Sequence, residues 1–195
     1  DKMNIKKLCY QFPPYEWLKS AEPGDAPYTE QFEAWEKGYE GQVLTPKTGD
    51  NYEVDGLKIH VLKDCSDYLE MGDENPINDT SIVIRLEFPN GKTALFLGDL
   101  GWVSGAVLEK MYGNKLKSDI VQMAHHGGLG CSMEVYAAIE PKACLWCCRK
   151  ESYNGEVYPL VMDDKEKLKK LSWIRMQKLT TVRKWMEQLG VKKHY

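Results

Sequence analysis

Two short segments of this sequence carry the residue types that bind metal ions. His125-His126-Gly127-Gly128 follows the apolar run Ser118 to Ala124, and Gly98-Asp99 follows the apolar run Thr93 to Leu97. A neutral imidazole can ligate a divalent cation, a carboxylate can bridge two, and the glycines let the backbone turn sharply in each segment. A metal held by such groups lowers the pKa of its bound water toward neutrality, so the chemistry suggested is hydrolysis. The two signals differ in strength. Gly-Asp is common in ordinary turns, whereas paired histidines at the end of a strand point more directly to a metal.

The elements that must position these residues can be read from hydrophobic periodicity. Thr93 to Leu97 and Ser118 to Ala124 predict buried strands, each ending on its polar segment, where α/β proteins commonly place functional side chains. Upstream, Gly41 to Leu44 predicts a strand, Thr45 to Asp50 a turn, and Tyr52 to Leu62 a hairpin around Asp55-Gly56. Thr80 to Phe88 predicts a further strand with Ile82, Ile84, Leu86 and Phe88 on one face, followed by a turn at Pro89-Asn90-Gly91-Lys92. Gly105 to Tyr112 and Ser132 to Ile139 have helical spacing, and Ala143 to Cys148 reads as a buried strand. Thr180 to Leu189 predicts a helix closed by Gly190 at the C′ position, before an incipient strand at Val191 to Tyr195. Alternating strands and helices of this kind predict a layered α/β fold. Residues 1–40, rich in aromatics, proline and charge, predict a connecting segment with one short helix near Tyr28 to Lys37, and 41–195 form the main body.

The chain has 195 residues, 43% of them hydrophobic, and six tryptophans, enough for a core of ordinary size. Its 26 Lys and Arg against 29 Asp and Glu give a formal charge of −3. That balance implies no bulk attraction to nucleic acid or to an anionic membrane, so a polyanionic substrate would need a local positive site such as a metal. No run of about 18 apolar residues offers a membrane span, and Asp1-Lys2-Met3-Asn4 lacks the apolar stretch of a signal peptide. The six cysteines, at 9, 65, 131, 144, 147 and 148, lack the regular spacing of a disulfide scaffold. They read as mostly reduced thiols, which tilts the localisation toward the cytoplasm. Cys144-Leu145-Trp146-Cys147 has C-x-x-C spacing, but strand residues three apart point to opposite faces, which favours a core strand over a zinc or redox site. His60 reads as a half-exposed strand histidine, His194 as a solvated terminal one, and Asp119 as structural.

Taken together, Asn78-Asp79-Thr80-Ser81 before a strand, Leu95-Phe96-Leu97-Gly98-Asp99 closing the next, Asp119-Ile120-Val121 leading to His125-His126-Gly127-Gly128, and Glu140-Pro141-Lys142-Ala143 before another strand resemble the metallo-β-lactamase-fold hydrolase superfamily. The nearest subgroup is similar to the hydrolase domain of competence DNA-uptake channels, and the resemblance runs from about Val43 to the end. It implies the second half of a four-layer αββα sandwich that holds one or two metals, usually zinc. By position, Asp99 matches the bridging aspartate and His125 the late histidine ligand, with His126 its nearest competitor. The implied catalytic residues are Asp99 and His125, and the implied metal set is Asp99, His125 and His126. The implied reaction is attack by a metal-bound hydroxide on an ester, phosphodiester or amide, the subgroup tilting the substrate toward phosphodiesters or nucleic acid.

The chain also departs from that family. Gly128 stands where relatives carry Ser, the next hydroxyl being Ser132, and Asn154 with Tyr158-Pro159 resembles an Asn and His-Pro segment without its His. The principal His-x-His-x-Asp-His motif is absent, because the four histidines lie at 60, 125, 126 and 194. Asp99 with one or two histidines supplies at most three donors, so the chain alone is expected to hold metal poorly or not at all. Three readings follow. The chain is part of a metal-dependent hydrolase completed by an N-terminal half or partner chain; or it is a non-catalytic half-fold that binds a partner or itself; or Gly98-Asp99 is a turn and His125-His126 a hydrogen-bonded pair in a generic α/β domain.

Overall fold

The computed structural model describes residues 5–66, 76–154 and 178–195. Strand β1 (Lys7–Cys9) lies parallel to β2 (Gln42–Leu44), and between them run helices α1 (Tyr15–Ala21) and α2 (Ala26–Glu36). The sequence predicts only the second helix. α1 starts directly after Pro14, whose lack of an N–H costs nothing at a helix start, and it buries Leu18.

Seven further strands form one sheet in chain order: β3 (Asn51–Val54), β4 (Leu57–Lys63), β5 (Val83–Glu87), β6 (Thr93–Phe96), β7 (Ile120–Gln122), β8 (Ala143–Leu145) and β9 (Lys193–His194). β3 to β6 pair antiparallel and β6 to β9 pair parallel. The antiparallel half is set by its turns. Asp55 and Gly56 both take positive φ, 50° and 78°, the geometry whose twist matches a two-residue hairpin. The parallel half needs crossovers, supplied by α4 (Trp102–Tyr112) and α5 (Met133–Ile139) and, ahead of β9, by a helix over 178–188, here α7, after the short α6 (Lys150–Tyr153). The helix α3 (Pro76–Asp79) leads into β5. The α/β class expected from the sequence is therefore the class adopted. Among the described residues, no helix is long and apolar enough to cross a membrane.

Alternation along the strands places Val83, Leu95, Leu97, Val121, Met123 and Cys144 in a single core with Leu108 of α4, Val135, Tyr136 and Ile139 of α5, and Val182 and Met186 of α7. The strand register puts Tyr52, Ile59, Leu86, Ala94 and Ile120 in one row across the opposite face, and Val61, Ile84 and Phe96 in another. Most of these side chains remain partly exposed; only Val61 and Ala94 are buried. The two faces of β5 differ in burial. Ile82, Ile84, Leu86 and Phe88 do alternate, but Val83 on the other face of the strand is the fully buried residue, because the helices cover that side.

Two further expectations change. β8 ends at Leu145, and Cys147 is exposed, so the strand predicted to reach Cys148 stops short. His194 is not simply solvated: its Nδ1 accepts the indole N–H of Trp146 at 3.1 Å, since β9 pairs with β8 and brings the two rings together. His60 stands half-exposed in β4, with Nδ1 2.5 Å from Asn51 Oδ1, as its strand setting suggests. The C-terminus of α7 closes as its sequence indicates. Gly190 has φ 75°, its N–H reaches Glu187 O, and the N–H of Val191 reaches Met186 O, a Schellman closure.

Candidate metal centre

β6 and β7 are adjacent and parallel, so the segments that follow them emerge side by side at one edge of the sheet. After β7 the chain is guided by two hydrogen bonds. The N–H of Met123 reaches Leu145 O at 2.9 Å, and the N–H of Ala124 reaches the buried hydroxyl of Tyr136 at 3.2 Å. Burial holds that phenol far above the usual tyrosine range, so it stays neutral and serves as a fixed acceptor.

The next three residues are all left-handed, with φ 48° at His125, 57° at His126 and 82° at Gly127. For the two histidines this conformation costs about 1–2 kcal/mol each relative to right-handed backbone. Strain of that kind persists where the fold needs the side chains in a particular place. The turn is locked by the His125 N–H on Gly98 O at 3.0 Å and the Gly128 N–H on His125 O at 2.8 Å. The first of these bonds ties the histidine segment directly to the Gly98-Asp99 segment.

Asp99 is fixed in turn by Ser81, whose Oγ accepts the Asp99 N–H at 3.1 Å. The segment 78–81 is anchored from below by Lys63, 0% exposed, whose ammonium donates to the carbonyls of Asp64 and Ser81 at 3.1 Å each and to that of Asp79. Asp79 is itself buried and accepts the hydroxyl of Ser104, joining α3 to α4. Asn78 Nδ2 lies 3.5 Å from His125 Nδ1. Asn78 and Ser81 belong to a motif that marks the fold resemblance, but nothing in their spacing reveals that they face Asp99 and His125; that is a tertiary relationship.

Of the three residues expected to hold metal, Asp99 and His126 converge, with Nε2 of His126 3.3 Å from Oδ2 of Asp99. The His125 ring meets that of His126 edge-on, 6.2 Å between centroids. Nδ1 of His126 lies 2.8 Å from Cys147 O. A carbonyl only accepts, so Nδ1 carries the proton, and in the neutral ring Nε2 presents its lone pair to a carboxylate oxygen. Two lone pairs face each other, and they need a positive centre between them: a second proton or a metal. Ligands held at about 2.0–2.1 Å in a tetrahedron stand about 3.3–3.4 Å apart, which the observed gap matches. A backbone carbonyl on the remote ring nitrogen is also what orients ligating histidines generally.

Both side chains face solvent, His126 58% and Asp99 40% exposed, so an ion could enter. Among the described residues, no group of three or more His, Cys, Asp and Glu side chains is placed to hold a metal. Ser132 is buried at the N-terminal cap of α5. Asn154 closes α6, and Tyr158-Pro159 lies outside the described residues.

Fold and site together define an α/β protein with an aspartate and a histidine facing each other at the end of adjacent parallel strands. No protein-family model matches the chain, and no curated protein does. Among solved structures the chain is similar to a Thermotoga maritima protein assigned as a Zn-dependent hydrolase of the metallo-β-lactamase superfamily. Identity is 20% and the TM-score 0.34, the match covering 54% of this chain and 48% of that one. The match thus spans about half the length of that structure.

Proposed function

We propose that this chain is part of a metal-dependent hydrolase of the metallo-β-lactamase type, the second half of its αββα sandwich. It contributes Asp99 and His126, with His125 beside them, to a centre whose remaining donors come from a missing N-terminal half or a partner chain. That polypeptide would pack on the apolar sheet face that the helices leave partly exposed. The observation that carries the reading is the Asp99 Oδ2 to His126 Nε2 gap of 3.3 Å with the opposite ring nitrogen committed to Cys147 O.

In the complete protein the ion is zinc, one or two, held here by Asp99 and His126. Bound zinc supplies Lewis acidity and a water activated near neutral pH, suited to esters, phosphodiesters or amides. The residues of this chain hold and orient. Cys147 O keeps the His126 proton on Nδ1, so that Nε2 is the donor. Ser81 fixes the backbone of Asp99, and Gly98 O holds the His125 N–H. Turning the Asn78 amide over would place Oδ1 against Nδ1 of His125 and direct the lone pair of that ring to Nε2. The sequence resemblance favours a phosphodiester or nucleic acid as substrate.

A second reading, a non-catalytic module with a relic of the centre, is favoured by the absence of a third donor among the described residues. Titration with Co²⁺ separates the two. A visible d–d band that disappears in Asp99→Ala and in His126→Ala, while His60→Ala retains it, supports the metal centre. An ultraviolet-visible spectrum unaltered by Co²⁺ at millimolar concentration leaves the second reading in place.

A further inference from the structure

The ladder between β6 and β7 ends at the pair Phe96 and Gln122, one residue short of the segments that bear the ligands. Beyond it, the Gln122 side chain continues the pairing. Its Oε1 accepts the N–H of Leu97 at 3.0 Å and of Gly98 at 2.8 Å, and its Nε2 donates to Gly98 O at 3.3 Å and Met123 O at 2.6 Å. A primary amide offers two lone pairs and two N–H groups, and all four are used in a side chain only 8% exposed. Gly98 is gripped at both its N–H and its carbonyl, and the same carbonyl also takes the His125 N–H.

We infer that Gln122 is the positioning residue of the Asp99 and His126 pair, a cross-tie that fixes the spacing between the two ligand-bearing segments. Past residue 122 the two chains diverge, one into the Gly98 turn at φ 60° and the other into three left-handed residues, so the single backbone bond between them there, His125 N–H to Gly98 O, cannot set that spacing alone. A side-chain amide can, because it bonds to backbone on both sides and does not itself reach the ligand atoms. The feature demands Gln in particular. Glutamate would set an oxygen against the carbonyls of Gly98 and Met123, and Met would leave two N–H groups and two carbonyls without this partner.

The inference rests on the proposed metal centre for its consequence and not for its geometry, and the experiment keeps the two apart. Co²⁺ affinity and d–d spectrum are compared in the wild type, Gln122→Met and Gln122→Glu, with urea melts to score folding. About a tenfold or larger loss of affinity with an altered band in folded variants is expected, a size typical of groups that orient metal ligands. A folded Gln122→Met with wild-type affinity and band overturns the cross-tie. In the metal-free protein, NMR of the His126 ring and the Asp99 amide provides the second readout. Both signals should move in Gln122→Met and stay put in Lys92→Ala; unmoved signals overturn the inference even where the wild type binds no Co²⁺, a result that would by itself end only the metal reading. Where the variants do not fold, hydrogen exchange in the wild type decides: the Leu97 and Gly98 amides should exchange as slowly as that of Phe96, and loop-like exchange would refute the tie.

Discussion

The indole of Trp146 occupies the space that any side chain on Gly127 would need: an added Cβ would lie 2.4 Å from Cζ3 and 2.5 Å from Cε3 of that ring. Gly127 is also left-handed, at φ 82°, so a substitution there is strained in the backbone as well as in the packing. Trp146 cannot easily yield, since its N–H is held by His194 and its ring packs on Tyr153 at 5.3 Å. Gly127→Ala is expected to destabilise the protein by about 1–3 kcal/mol, the usual range for overpacking, and to displace the neighbouring His126. Urea unfolding measures the first effect and Co²⁺ titration the second; a variant as stable as the wild type would show that the ring moves aside at little cost.

Lys63 sits wholly inside the protein and spends its ammonium on backbone carbonyls of residues 64, 79 and 81. Lys63→Met keeps the length and removes the donor, leaving those carbonyls without it. The expected cost is about 1–3 kcal/mol, as for buried carbonyls left without a donor. Thermal and urea melts check this, and a loss under about 1 kcal/mol would mean that the segment carrying Asn78 and Ser81 is held by other contacts.

These two relationships mark where the sequence stops being informative. The hairpin at Asp55-Gly56, the cap at Gly190 and the order of strands after Thr93 were all legible, because turn chemistry and periodicity are local. Asp99 and the paired histidines were legible as ligand types at strand ends. Which histidine meets Asp99 was not, because the choice depends on the left-handed run 125–127 and on Cys147 O, 21 positions from His126. Gln122 reads as one polar residue in a buried strand until the fold brings Gly98 beside it. Helix α1 was not legible because Pro13-Pro14 and the surrounding aromatics look like loop, and the core face of β5 was not legible because both of its faces carry apolar residues.

Asp119 ties the start of β7 to β6 and to the loop before β8. The Lys142 ammonium, 2.6 Å away, holds its carboxyl below the usual range; partial burial opposes this, and the Thr93 N–H at 3.1 Å and the charge of Lys92 reinforce it. A carboxyl depressed in the native state stabilises it above the unfolded-state pKa, and that contribution is lost as pH falls through the folded-state value. Asp119→Asn should therefore cost about 1–2 kcal/mol near neutral pH and progressively less from about pH 4 downward. Parallel urea melts of both proteins across that range supply the test; a constant difference would assign the cost to packing and not to charge.

The second face of the sheet gives the sharpest test of what else the protein needs. Ile84 and Val83 are neighbours in β5 and both aliphatic, yet Val83 is fully buried under the helices while Ile84, between Val61 and Phe96 in its row, remains partly exposed. Val83→Ala is expected to cost about 2 kcal/mol through the cavity it leaves. Leu86→Lys, on the open face, can lay its methylenes along the sheet and keep its ammonium in water, so its cost should stay within about 1 kcal/mol. If that face docks a missing half or another copy, sedimentation velocity should show the wild-type chain associating as concentration rises and Leu86→Lys remaining monomeric. Should Leu86→Lys cost as much as Val83→Ala, the face is already covered within this chain, and the remaining metal donors would have to arrive by another route.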